Sequence, residues 1–184
     1  MKKMYIMVGS HRKTGYNKKA LDYILSKAPK DWQITVDWAI DKKVAYCKSC
    51  YYCATHKGEC IIKDDMTQIY SHFIESDKLL FISSIYFSSA PSALKTILDR
   101  CQMFYCNGKM PLPEKDVYVL AIGGAPSYPE QFTGLMENLK HLLIYINGAV
   151  KEKLFYSRSD KYGGTFEGEN LARLQEFTEK IFAE

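Results

Sequence analysis

Short apolar runs that alternate with segments of helical spacing constrain this 184-residue chain more than any other feature. Residues 3–8 form an apolar run that ends at Gly9 and reads as strand one. From about 15 to 27 the period changes, and Ala20, Leu21, Ile24 and Leu25 share a helical face. Residues 32–36, with Ile34 and Val36 alternating, read as strand two. Asp64 and Asp65 open the next helix, where acids suit capping and the helix dipole. Met66, Ile69, Phe73 and Ile74 form its apolar side. Residues 78–83 hold the unbroken run Leu79-Leu80-Phe81-Ile82, as a strand covered on both faces should. Pro91 suits the first turn of a helix whose stripe is Leu94, Ile97 and Leu98. Residues 117–122 give a fourth strand, 130–146 a helix that stops at Asn147-Gly148, 154–156 a last strand and 170–182 an amphipathic helix. Solidly apolar strands alternating with helices predict an α/β fold, an open parallel sheet covered on both faces. The chain reads as one domain, 1–184, with 41–62 as an insertion. That insertion fits neither period, and so long an irregular stretch is usually functional.

In such sheets ligands bind beyond the carboxyl ends of the strands, so the turns at 9–17, 83–89 and 123–128 are the places to look. The first, Gly9 to Asn17, is neither a Walker A loop nor G-x-G-x-x-G. It still suits a phosphate: free amides at a helix start face an anion, Ser10, Thr14 and Asn17 donate, and Arg12 adds charge. The blander reading is a solvated polar loop. In the second turn Ile85, Tyr86 and Phe87 offer an apolar platform for a planar ring, and Ser88 keeps the approach open. The competing reading packs Tyr86 and Phe87 as core beneath the loop. Gly123-Gly124 ends the fourth strand and permits close backbone approach.

Charge and hydropathy remove some classes. The 25 basic and 21 acidic residues leave +4, too mild a balance to indicate nucleic acid. No apolar run approaches the ~20 residues of a membrane span, and the first run is too short for the core of an export signal. A cytoplasmic location is therefore expected. In a reducing compartment, crowded thiols suggest metal or redox chemistry before structural disulfides. Four of the six cysteines, Cys47, Cys50, Cys53 and Cys60, spell C-x2-C-x2-C-x6-C inside the insertion. The tight three-cysteine run is typical of iron–sulfur ligation; zinc, a reversible disulfide or free thiols are the other readings. Cys101 and Cys106, much later, read as free thiols on or beside a helix.

Together these motifs resemble the flavodoxin-like NAD(P)H-dependent FMN reductases, in particular their iron–sulfur flavoprotein branch. The resemblance runs from strand one to about Arg100 and more weakly to Gly123-Gly124. It is carried by Gly9-Ser10-x-Arg12-Lys13-x-Gly15-x-Asn17, by Cys47 to Cys60 followed by Ile61-Ile62-Lys63-Asp64-Asp65-Met66, and by Ile85-Tyr86-Phe87-Ser88 with Leu94-Lys95 and Asp99-Arg100. It implies a flavodoxin-like three-layer sandwich with a five-stranded parallel sheet in the order 2-1-3-4-5. It also implies FMN, its phosphate held by Ser10, Arg12, Asn17 and the amides near Lys18, its ring bordered by Ile85, Tyr86, Phe87 and Ser88, with Gly123 and Gly124 along another edge. Cys47, Cys50, Cys53 and Cys60 would be the ligands of a [4Fe-4S] cluster. Three features depart from the family pattern: Lys18 stands where a small hydroxyl residue is common, Ser84 stands where a proline is, and the last cysteine gap, x6, is within the family's range but not its tightest form.

The activity implied is electron transfer from NAD(P)H through FMN to a small-molecule or protein acceptor. No side-chain acid or base is required, so no catalytic residue is assigned. Relatives imply a homodimer or homotetramer, with Tyr51-Tyr52 as an interface or flavin-covering element or as local packing. The competing functions are a flavodoxin-type carrier without NAD(P)H activity and a non-enzymatic interaction domain stapled by zinc.

Overall fold

The computed structural model describes residues 1–162 and 165–183. Five strands, β1 (Lys3–Gly9), β2 (Gln33–Trp38), β3 (Lys78–Ser84), β4 (Lys115–Ile122) and β5 (Gly148–Tyr156), pair in parallel in the order β2-β1-β3-β4-β5, as expected. The helices are α1 (Tyr16–Ser26), α2 (Tyr52–Thr55), α3 (Met66–Glu75), α4 (Ser92–Arg100), α5 (Gln102–Asn107), α6 (Thr133–Tyr145) and α7 (Gly168–Phe182).

The period of two along each central strand divides the core into two layers. Met4, Ile6, Val8, Leu80, Ile82 and Leu120 face α1 and α7 and meet Ala20, Ile24, Leu174 and Phe177. Tyr5, Met7, Leu79, Phe81 and Val119 face the other way, against Ile69, Phe73, Leu94 and Leu139 of α3, α4 and α6. Each fully buried large apolar side chain contributes about 1.5–3 kcal/mol. Thus strands with no polar face, such as β3, are secured from both sides.

Three elements differ from expectation. β5 starts at Gly148 and runs nine residues. It is an edge strand, and the exposed Lys151 and Lys153 that blunt that edge also hide its apolar pattern. α5 is a separate short helix, ended at Gly108 with φ 75°. The insertion contains the single turn α2, while the rest of it is irregular.

The register fixes where the strand ends meet. Gly9 stands opposite Ser83, Ser83 opposite Ala121, and Ile122 opposite Tyr156. The chains leaving β1, β3 and β4 therefore emerge side by side on one rim of the sheet.

Candidate functional site

The rim carries a cleft of about 500 Å³ lined by all three turns. Ser10, Arg12, Thr14 and Asn17 come from the first, Ser84, Ile85 and Tyr86 from the second and Gly124 from the third. Ser10 braces the first turn, since its hydroxyl donates to Arg12 O (3.1 Å) and accepts from the Arg12 N–H (3.3 Å). Gly15 precedes α1 at φ 83°. Lys19 N–H bonds back to Gly15 O (3.0 Å), and the amides of Asn17 and Lys18 ahead of it have no carbonyl a turn earlier within the helix. Arg12 is exposed and has no acidic partner among the described residues, whereas Lys13 is drawn away to Asp41 at 2.6 Å.

Asn17 tests whether this turn fits an anion. Its side chain is buried; Nδ2 donates to Ser84 Oγ at 2.8 Å, and Oδ1 has no partner. A serine hydroxyl both donates and accepts, so the amide can turn over without losing Ser84 and present its N–H groups as the unpartnered atoms. A buried polar atom left without a partner costs about 1–3 kcal/mol, which an anionic oxygen at this position relieves. Ser84, the departure from the family's proline, is thus the hydroxyl that holds Asn17. Lys18, a second departure, sends its ammonium to Asp22 (2.5 Å) outside the cleft, leaving only its backbone amide at the helix start.

The platform residues divide. Ile85 and Tyr86 border the cleft, while Phe87 and Ser88 occupy the tip of a two-residue turn closed by Tyr86 N–H to Ser89 O and Ser89 N–H to Tyr86 O (both 3.0 Å). Their φ angles, 48° and 61°, are the left-handed pair of a type I′ hairpin, which normally takes Asn-Gly. Tyr86 is half exposed and Phe87 fully exposed, so the reading of this pair as core does not hold. A side chain on Gly124 would meet Asp160 Oδ2 at 2.5 Å, while one on Gly123 would meet Gln131 Nε2 at 2.7 Å. Gly124 lines the cleft; Gly123 is buried behind it and packs there. Sequence reasoning missed Ser159 and Asp160, which close the cleft from the chain after β5. That segment is placed by Ser159 N–H to Gly123 O (3.1 Å) and Arg158 N–H to Ala125 O (2.7 Å), and no local motif announced it. Its carboxylate suits hydroxyl donors and disfavours a phosphate at that end, which leaves the anion to the Arg12 end.

A second cavity, about 380 Å³, gathers Cys47, Cys50, Cys53 and Cys60 together with Cys106. The donor chemistry fits a thiophilic metal, although among the described residues no three such donors stand in reach of a single ion. The C-x2-C-x2-C run turns through left-handed Ser49 (φ 49°) and Tyr51 (φ 57°), conformations that cost on the order of 1–3 kcal/mol each in non-glycine residues. Tyr52 stacks on His56 at 3.9 Å, which is local packing, and Tyr51 is exposed. Burial first, then the hydrogen bond with Cys106, pushes the Cys53 thiol up to about 11.

Arg100 holds both ends of this loop. Fully buried at the end of α4, it donates to Ala45 O (2.8 Å), Ile62 O (3.2 Å), both Asp64 oxygens (2.6 and 3.2 Å) and Cys60 Sγ (3.5 Å). Burial works against the Arg100 charge, but the Asp64 hydrogen bond together with the charges of Tyr70, Cys60 and Asp64 outweighs it and keeps the guanidinium pKa above its usual value. Burial likewise pushes the Asp64 carboxyl up; hydrogen bonds from Arg100 and from the Ala45 and Met66 amides outweigh it and hold the pKa below its usual value. Asp64 therefore does cap α3, through Met66 N–H at 3.1 Å, while also anchoring the insertion. Among the described residues no helix is long and apolar enough to cross a membrane.

The sheet order, its flanking helices and the rim cleft define a flavodoxin-like protein. The chain belongs to the NADPH-dependent FMN reductase family, whose model matches residues 1–160. An iron–sulfur flavoprotein of Methanocaldococcus jannaschii is 30% identical over 116 residues, 63% of this chain and 56% of that protein. One from Archaeoglobus fulgidus is 26% identical and covers 91% of each chain. The first two curated relatives are matched over only about half of their length. Among solved structures, an azoreductase from Bacillus anthracis superposes with TM-score 0.71 at 14% identity, covering 98% of this chain and 99% of that one. An NAD(P)H:quinone oxidoreductase from Methanothermobacter marburgensis gives 0.64 at 16%, covering 96% and 95%.

Proposed function

We propose that the rim cleft binds FMN and that the chain oxidises NAD(P)H there, delivering electrons to a small-molecule or protein acceptor. One observation carries the reading: Ser10, Arg12, Asn17, Ile85, Tyr86 and Gly124, distant in sequence, border one cleft whose buried Asn17 amide has an unpartnered atom. Ser10, Arg12, Thr14, Asn17 and the α1 amides bind the phosphate. Ile85 and Tyr86 flank the ring, and Gly124 admits it close to the backbone. When bound, FMN supplies the hydride-accepting redox chemistry. The protein's part is to hold the ring at the rim, keep the phosphate at the Arg12 end and donate hydrogen bonds. Phe87 and Ser88, at the turn tip beside the cleft, cover the ring from outside or meet a second subunit of a homodimer or homotetramer.

The insertion supports a finer proposal, with Cys47, Cys50, Cys53 and Cys60 holding a [4Fe-4S] cluster. The relatives from Methanocaldococcus and Archaeoglobus, named iron–sulfur flavoproteins, favour it over zinc. Such a cluster supplies one-electron steps; Arg100 would donate a hydrogen bond to one of its sulfur ligands and fix the ligand loop. The test is anaerobic purification, metal and sulfide analysis, and an absorption spectrum followed on mixing with NADPH or NADH. A bound flavin bleached by either nucleotide is expected. Absence of flavin after incubation with FMN overturns the reading, and bound flavin that neither nucleotide reduces makes the chain a carrier. Flavin without iron or sulfide ends the cluster proposal alone.

A further inference from the structure

Five cysteines border the second cavity, but the motif accounts for only four. The fifth, Cys106, is carried by α5, and its Sγ lies 3.6 Å from Cys53 Sγ. Among the described residues this is the one hydrogen bond between two thiols. Both sulfurs are fixed from behind. Cys53 lies within α2, the loop just after that helix is tied to α5 by Gly58 N–H to Asn107 Oδ1 at 2.7 Å, and α5 is rooted by buried Phe104, whose ring meets Tyr70 edge-on at 5.4 Å. Cys101, by contrast, is buried and turned to Ile97 O. A bonded pair needs sulfurs about 2.0 Å apart, so the two sulfurs must approach from 3.6 Å for the bond to form.

We propose that Cys53 and Cys106 form a reversible disulfide when the cysteine loop holds no metal, by exchange with a low-molecular-weight disulfide such as oxidised glutathione. The thiolate of one cysteine attacks the oxidant's S–S bond; a mixed disulfide forms and one glutathione thiol leaves. The other cysteine gives up its proton and attacks the protein-side sulfur, the mixed S–S bond breaks, and a second glutathione thiol leaves. The protein loses two electrons and two protons, and one oxidised glutathione becomes two reduced ones. The bond ties the loop to α5 and withdraws Cys53, because a sulfur in a disulfide has no thiolate to offer a metal. This last consequence rests on the four-thiolate reading above; the disulfide does not.

The test uses the full-length, flavin-bearing chain, stripped of metal with a chelator, reduced, desalted and exposed to oxidised glutathione. Remaining thiols are alkylated and the peptides mapped by mass. The wild type is expected to lose two alkylatable thiols and yield a peptide linking Cys53 to Cys106; C106S and C53S each lack that link. Pairing of Cys53 with Cys47, Cys50 or Cys60, or a Cys106 that stays fully alkylatable, overturns the proposal. Iron and sulfide are then offered to oxidised and reduced wild-type chains. Uptake only after reduction supports the withdrawal of Cys53, and equal uptake by the linked chain refutes it. If the reduced chain takes up no iron, the four-thiolate reading fails while a mapped link still stands.

Discussion

Replacing Arg100 with methionine tests the reasoning about the cysteine loop most directly. Methionine fills the stem but removes the guanidinium donors to Ala45 O, Ile62 O, Cys60 and Asp64. The Arg100 side chain is 1% exposed and that of Asp64 12%, so the pair is buried and the carboxylate is stranded when its cation goes. Breaking a buried pair from one side costs about 3–5 kcal/mol, and each carbonyl left dry adds about 1–3 kcal/mol. These do not simply sum, because a loop relieved of its anchor can swing into water and satisfy the stranded groups there. The net expectation for R100M is a loss of about 3–5 kcal/mol if the loop stays docked. If it undocks, the loss in global stability is smaller and the loop cysteines become fast-reacting. Urea unfolding measures the first and reaction with a thiol reagent the second. D64N removes the stranded charge, so R100M/D64N should be less damaged than the two single losses added, with a coupling of about 2 kcal/mol. An R100M protein that loses under about 1 kcal/mol and whose thiols react at the wild-type rate would refute the account.

Three further outcomes are expected. R12A should weaken FMN by about 1–3 kcal/mol and riboflavin by less, since only FMN carries the phosphate; titration by flavin fluorescence reads both, and equal losses would place Arg12 elsewhere. S88G should raise thermal stability by about 1 kcal/mol, because glycine accepts the φ of 61° that serine occupies under strain; an unchanged or lower Tm contradicts the strain. Asp64 has a lowered folded-state pKa, so its contribution is present above the ordinary carboxylate range and disappears as pH falls through the lower folded value. The stability difference between wild type and D64N should therefore be level above about pH 5 and shrink in stronger acid, as urea unfolding across pH will show.

Much of this protein is legible along the chain because its signals are local. An unbroken apolar run such as Leu79 to Ile82 must be covered on both faces, and helices alternating with such runs leave little besides a parallel sheet. The first turn's donors and the cysteine spacing are likewise matters of residue type and interval. Where the signal is weak, the reading falls short: an edge strand with alternating charges, 148–156, hides most of its length. Other features exist only once distant segments meet. Register places Gly9 beside Ser83 and Ser83 beside Ala121, so three turns become one cleft, and it brings Asp160 to Gly124. Likewise α5 carries Cys106 to Cys53 across 53 positions, and α4 delivers Arg100 beneath a loop that ends 38 residues before it. Spacing along a chain encodes which neighbours share a face, but not which remote side chains the packing of helices on a sheet will bring into contact.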